Sequence, residues 1–197
     1  MTAVSDLLLT ALLNYGAVAL GTVLFLAALG VPLPASMLLI AAGAFAQQGV
    51  LGVNEAAAAA LAGAVLGDNG SYGLGRFGAA RIPLRVRDSA LWARSATLFA
   101  RWGLWSVYLT RFLLTPVALP VNLLAGSTGY PWSWYLGAVV AGEATWVGLY
   151  GGAGYVFARQ WESISALAAD GAGLLVGMAL MVAAAHWLWR HRWSPRA

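Results

Sequence analysis

From Leu7 to Leu29 no charged side chain interrupts the chain, and an α-helix needs only about 20 such residues to cross a hydrocarbon core of roughly 30 Å. A run of this length predicts a membrane-spanning helix. It is too long for a signal-peptide core and no basic residue precedes it, so it is expected to remain in the mature chain. Composition agrees: 61% of residues are apolar and 9% charged, against roughly a quarter charged in a soluble domain, and the mean hydropathy is +0.75. A soluble enzyme is excluded. With no cysteine, a disulfide framework, a thiolate metal site and a cysteine nucleophile are excluded too. His186 and His191 lie together near the C-terminus, which leaves little for a histidine-based site. No enzymatic activity and no nucleic-acid partner are expected.

After the first span, Val31-Pro32-Leu33-Pro34 leads into an apolar run, Met37 to Phe45, stopped by Gln47-Gln48-Gly49. The run is too short to span, and its two prolines break or cap a helix. A re-entrant hairpin over residues 31–53 is expected, with helix to Phe45, a turn and a short return. Irregular backbone at membrane depth is tolerated only where protein or a wet cavity covers it, so the hairpin implies a cavity. Glu55 to Leu74 reads as an Ala/Gly helix carrying Asp68. Residues 76–101 hold six arginines against Asp88, which makes this segment cytoplasmic by the positive-inside rule. Residues 103–126 repeat the pattern of proline within an apolar run, at Pro116 and Pro120, and predict a second hairpin. Trp132 to Phe157 and Gly173 to Trp189 complete about four spans, and Arg190, Arg192 and Arg196 put the tail in the cytoplasm with the N-terminus. In this topology the two hairpins enter from opposite faces.

The halves also echo one another. Leu33-Pro34, Leu38-Leu39 and Ala42-Gly43 are matched by Leu119-Pro120, Leu123-Leu124 and Ala125-Gly126. Gly63-Ala64-Val65-Leu66-Gly67-Asp68 is matched by the stretch from Gly137 to Glu143. Opposed repeats with broken helices facing each other near the midplane mark a transporter, with the substrate at their interface. In so Ala/Gly/Leu-rich a chain, chance gives the competing account.

All eleven basic residues are arginines. Nine lie in the 76–101 segment and the tail, and Arg159 falls on the outer loop, which leaves Arg111 at membrane depth with Asp68 and Glu143. An ionisable group there costs about 2.5–3.5 kcal/mol on insertion scales, so the three are candidate functional residues. Arg suits a phosphate or carboxylate in bidentate fashion. The competing accounts are a turn at Asp68-Asn69-Gly70, a structural ion pair at Glu143, and snorkelling of Arg111.

Gly73-Leu74-Gly75-Arg76-Phe77-Gly78 fits the dinucleotide pattern G-x-G-x-x-G, but no strand precedes it, so these glycines are expected to serve close helix approach. Gly63/Gly67, Gly148/Gly152 and Gly173/Gly177 have the spacing of close helix contacts. Arg87, Arg94 and Arg101 recur every seven residues beside an apolar stripe of Leu91, Leu98, Trp102 and Trp105. That pattern predicts an interfacial helix on the cytoplasmic leaflet. Trp132, Trp134, Trp187, Trp189 and Trp193 read as aromatic belts.

Pro32-Leu33-Pro34 with Ala41-Ala42-Gly43, then Gly67-Asp68, Tyr72, Gly75-Arg76 and Gly78, then Gly103, Arg111-Phe112, Pro116 and Ala125-Gly126 occur in an order that resembles the DedA family, the bacterial branch of the SNARE-associated, VTT-domain membrane proteins. The resemblance spans about residues 25–155. It implies two opposed re-entrant hairpins and movement of a lipid carrier phosphate, undecaprenyl phosphate, across the bacterial inner membrane, with eukaryotic relatives that scramble phospholipids. The acids usual beside the family's first proline motif are replaced here by Leu29-Gly30 and Ala35-Ser36, so any proton coupling falls to Asp68 and Glu143.

The expectation is a single all-α integral membrane domain acting as a lipid translocase. The candidate substrate-binding residues are Arg111, Asp68, Glu143, Pro34, Pro116, Pro120 and Asn122, and the partners are a lipid phosphate headgroup and the bilayer. No cofactor is expected; coupling to a proton or cation, and a homo-oligomer, stay open. The alternatives are a proton-coupled small-solute or ion transporter and a non-transporting membrane assembly protein.

Overall fold

The apolar run at the start of the chain forms helix α1, Thr2–Ala28, interrupted at Gly16 (φ 56°, ψ −135°), a backbone conformation that glycine alone adopts without strain. The computed structural model describes residues 2–78 and 84–169, and all regular structure among them is helical. Residues up to Val156 form one compact unit, which holds the helix crossings and the site described below; the segment 173–189 lies outside the described residues. After α1 come α2 (Ala35–Gln47), α3 (Val53–Gly78), α4 (Leu84–Arg87), α5 (Ala90–Trp102), α6 (Leu104–Thr110), a 3-10 turn (Thr115–Val117), α7 (Ala118–Ser127) and α8 (Trp132–Ala169).

Among the described residues, Asp6–Ala28 is the one helix whose length and apolar composition suffice by themselves to cross a membrane. Helix α3 is long enough, about 39 Å at 1.5 Å per residue, but carries Glu55, Asp68 and Arg76. Large apolar side chains face outward on several helices, among them Leu7, Val18, Leu66, Trp134 and Leu149, each more than half exposed. Acyl chains tolerate such a surface, and water does not.

The first proline motif ends at Pro34, which occupies the N-cap of α2. After α2 the chain turns at residues 48–51 and runs directly into α3, with no separate return helix. The second motif gives two arms, α6 and α7, broken at residues 111–114. The arginine-rich segment departs from one continuous helix. Arg87 closes the short α4, and a new helix starts after Ser89, whose Oγ accepts from the Trp92 amide at 3.1 Å. The seven-residue arginine spacing therefore crosses a helix boundary. Trp105 leaves the α5 stripe too, because Gly103 (φ 50°) turns the chain into α6. Helix α5 is not free on one side, since it packs on α7, with Phe99 edge-on to Tyr130 at 5.7 Å.

Glycines bring the helices into backbone contact. Helix α1 meets α3 where a Cβ on Gly63 would overlap the Gly21 carbonyl and one on Gly67 would reach the Phe25 carbonyl. Two further crossings share one construction. Helix α2 meets α8 with Gly43 on the carbonyl of Gly151 and Gly154 on that of Ile40. Helix α7 meets α3 with Gly126 on the carbonyl of Tyr72 and Gly75 on that of Leu123. In each, one glycine per helix sits three residues after the carbonyl that its partner covers. Each short helix thus crosses the long helix of the other half, as small residues permit in a membrane.

These crossings correct three expectations. Gly148 and Gly152 make no close approach; Gly154 does, and Gly151 supplies the carbonyl that Gly43 covers. Of the dinucleotide-like glycines only Gly75 touches a neighbour. Gly43 and Gly126 are each the ninth residue of their helix, so Pro34 corresponds to Val117 rather than to Pro120. By the same crossings Asp68 corresponds to Val147, and Glu143 to Ala64. The two acids stand one helical turn apart in register instead of at equivalent places.

Candidate functional site

Asp68 lies in the middle of α3, 2% exposed, so the turn account of Asp68-Asn69-Gly70 is set aside: those residues are helical. Its Oδ1 accepts from Arg111 Nη1 at 2.6 Å and from Asn122 Nδ2 at 2.8 Å, while Arg111 Nη2 donates to Asn122 Oδ1. The three side chains close a hydrogen-bonded triangle joining α3, the break after α6, and α7. Arg111 is 3% exposed and Asn122 fully buried, so the guanidinium does not snorkel. Glu143 on α8 stands 3.8 Å from Arg111 Nε, a contact between charges rather than a hydrogen bond.

Two residues that the sequence reading missed hold this cluster. The Tyr135 hydroxyl donates to the backbone carbonyl of Asp68 at 3.0 Å. Gly142 leaves the space that Arg111 occupies, for a Cβ there would lie 2.6 Å from Arg111 Cγ. The only advance signal was that Gly142 directly precedes an intramembrane acid.

Arg111, Asp68 and Glu143 line a cavity of about 290 Å³, at the small end of the roughly 300–1,000 Å³ usual for ligand sites. Pro34, Ala35, Ser36 and Met37 from the start of α2 form part of its wall, and Thr115, Ala118 and Leu119 from the start of the second arm form another part. Neither helix has a side-chain cap. The Ala35 amide donates to the Leu33 carbonyl and the Ala118 amide to that of Thr115, and the N-terminal end of a helix carries partial positive charge. Of the other candidates, Asn122 touches Arg111 without lining the cavity. Pro116 is exposed in the 3-10 turn, and Pro120 is buried within α7 away from the wall.

Formal charges leave the cluster one unit negative, with two acids against one arginine. Three buried side-chain polar atoms have no partner among the described residues: Asp68 Oδ2, Arg111 Nε and Trp146 Nε1. All three belong to residues on the wall of this cavity. Native interiors contain few such atoms, and here they gather at one place.

Residues 33–156 match the VTT domain. Two relatives, each described as an uncharacterized membrane protein, one from Mycobacterium bovis and one from Mycobacterium tuberculosis, are 33% identical over 138 residues, 65% of this chain and 62% of theirs. An uncharacterized membrane protein of Synechocystis is 30% identical over 153 residues, 74% of this chain and 68% of its own. The match thus spans under two thirds of the mycobacterial proteins' length. No solved structure matches. The motifs, the helical fold with its outward-facing apolar surface and the domain match agree, and the chain belongs to the VTT-domain, or DedA, family of membrane proteins.

Proposed function

We propose that this protein is a lipid translocase of the bacterial inner membrane that passes a phosphate headgroup through the cavity beside Arg111 while the tails stay in the bilayer. One observation carries the reading. A buried arginine and the N-terminal ends of two short helices, one from each half and neither capped by a side chain, share the wall of a single cavity. Opposed half-helix starts aimed at an anion near the midplane are a recurrent transporter device. The cavity's size suits a headgroup rather than a whole lipid. Undecaprenyl phosphate, or another phosphate-bearing lipid, is the substrate we favour, with re-entrant hairpins opening to opposite faces and both termini cytoplasmic.

Asp68 and Asn122 occupy the two terminal nitrogens of Arg111. An incoming phosphate displaces or joins them, and the added negative charge calls for a proton or cation to enter with it. The excess of acid over base also favours a second reading, a cation-coupled transporter of a small solute.

The test is headgroup translocation in proteoliposomes, measured with a polyprenyl phosphate and with phosphatidic acid. Arg111→Ala is expected to abolish it; unchanged translocation removes Arg111 from the mechanism. Ion currents without any phosphate lipid would favour the second reading.

A further inference from the structure

We propose that Trp146 is a ligand-binding residue of this site, its indole N–H donating to a phosphate oxygen alongside Arg111. The inference rests on the phosphate reading above and adds a contact to it. Trp146 lies one turn beyond Glu143 on α8, and residues three apart share a helix face. It is 6% exposed, sits in the wall that also holds Asp68 and Arg111, and its Nε1 has no partner among the described residues.

A buried tryptophan normally finds an acceptor for its N–H, because leaving that donor unpaired sacrifices its bond to water. Packing explains the ring but not the nitrogen. The ring belongs to the apolar cluster containing Leu20, Leu24 and Leu38 and lies 6.0 Å from the ring of Tyr150. Phenylalanine would serve that cluster without an orphaned donor. The nitrogen is accounted for by a ligand that brings the acceptor.

Its neighbours say which kind. Arg111 Nε is a second unpaired donor on the same wall, and an indole can only donate. Two donors beside an arginine's charge match an anion with several oxygens, as phosphate has. Asp68 Oδ2, the third unpaired atom, is an acceptor on the same wall, so the anion that fits all three is one that still carries a proton, as a phosphate monoester can.

The full-length protein in detergent is titrated with dioctanoyl phosphatidic acid and, separately, with inorganic phosphate, while the indole N–H resonance of Trp146 is followed by NMR. It is assigned by its loss in Trp146→Phe. Phosphatidic acid is expected to move that resonance downfield, and Trp146→Phe to weaken binding on the order of tenfold, as for a hydrogen bond to a charged group, with an unchanged unfolding midpoint.

Several results overturn or relocate the inference. Wild-type affinity in Trp146→Phe, with binding still lost in Arg111→Ala, overturns it and leaves the proposed function standing. Absence of binding to the wild-type protein overturns both. Equal binding of inorganic phosphate that moves the same resonance supports the contact and overturns its assignment to a lipid. Should Trp146→Phe fail to fold, the wild-type resonance is assigned instead by its shift in Tyr150→Leu, which removes the ring 6.0 Å away, and it then decides. An unmoved resonance at saturation overturns the proposal.

Discussion

Replacing Asp68 by asparagine keeps the shape of the side chain and removes the anion that Arg111 holds at 2.6 Å. What remains for the guanidinium is Asn122 and a carboxylate 3.8 Å from Nε. Two magnitudes compete for the outcome. Neutral interhelical hydrogen bonds in membranes are worth about 0.6 kcal/mol on average, whereas removing one partner of a buried ion pair costs about 3–5 kcal/mol, because the other charge stays buried. With both side chains about 2% exposed, the second figure applies. At about 2–4 °C per kcal/mol for a chain of this size, Asp68→Asn is expected to lower the unfolding midpoint by roughly 6–20 °C, and Arg111→Gln similarly. The double variant leaves no unpaired charge in the triangle and is expected to lose less than the two singles combined, by about 0.5–3 kcal/mol. Thermal unfolding of the four proteins in one detergent measures this. Additive shifts, or single shifts under about 2 °C, would show that the pair carries no coupled charge energy and refute the reasoning.

Gly126→Ala drives a methyl group into the Tyr72 carbonyl and is expected to cost about 1–3 kcal/mol or more by overpacking, while Gly73→Ala on α3, with open space around its Cβ, should stabilise by about 0.5–1 kcal/mol; thermal midpoints compare them. Gly142→Ala touches no charge yet displaces Arg111, so translocation is expected to fall toward the Arg111→Ala level with the protein still folded. Because Asp68 Oδ2 is an unpaired acceptor, a phosphate monoester with a proton to donate should outcompete a diester, and phosphatidic acid should displace bound phosphatidylglycerol in a mass-spectrometric competition. Ser89→Ala removes the cap of α5 at a cost of about 1 kcal/mol, visible as faster amide exchange in the first turn of that helix.

The membrane nature of the chain and its three buried charges were legible because both follow from hydrophobicity, which acts residue by residue. Leu7 to Leu29 needs no partner to read as a span, and an isolated Arg111 is expensive whatever surrounds it. The pairing was not legible. That Asn122 would bridge Asp68 and Arg111, or that Tyr135 would reach the Asp68 carbonyl, depends on how α3, α7 and α8 stand against one another, and local sequence does not encode that. Asp68-Asn69-Gly70 favours a turn in water, yet in α3 its amides are satisfied within the helix, which a membrane requires of backbone without other partners.

The internal repeat carries the same lesson further. Matching motif to motif paired Pro34 with Pro120 and Asp68 with Glu143, and both pairings fall out of register. Composition misled here, because Leu-Pro and Gly-Ala-Val recur freely in such a chain. What the two halves share is a contact: a glycine and a carbonyl on a short helix meeting a carbonyl and a glycine on the long helix of the other half. Only the glycines are constrained by backbone approach, so they keep register while the residues around them diverge. Divergence is also what the site needs. A strictly symmetric pair would set like groups opposite one another, whereas the offset puts Asp68 in the triangle with Arg111 and leaves Glu143 and Trp146 on α8, on the wall of the same cavity as the guanidinium. Repetition builds the frame, and departure from it supplies one arginine with two different surroundings.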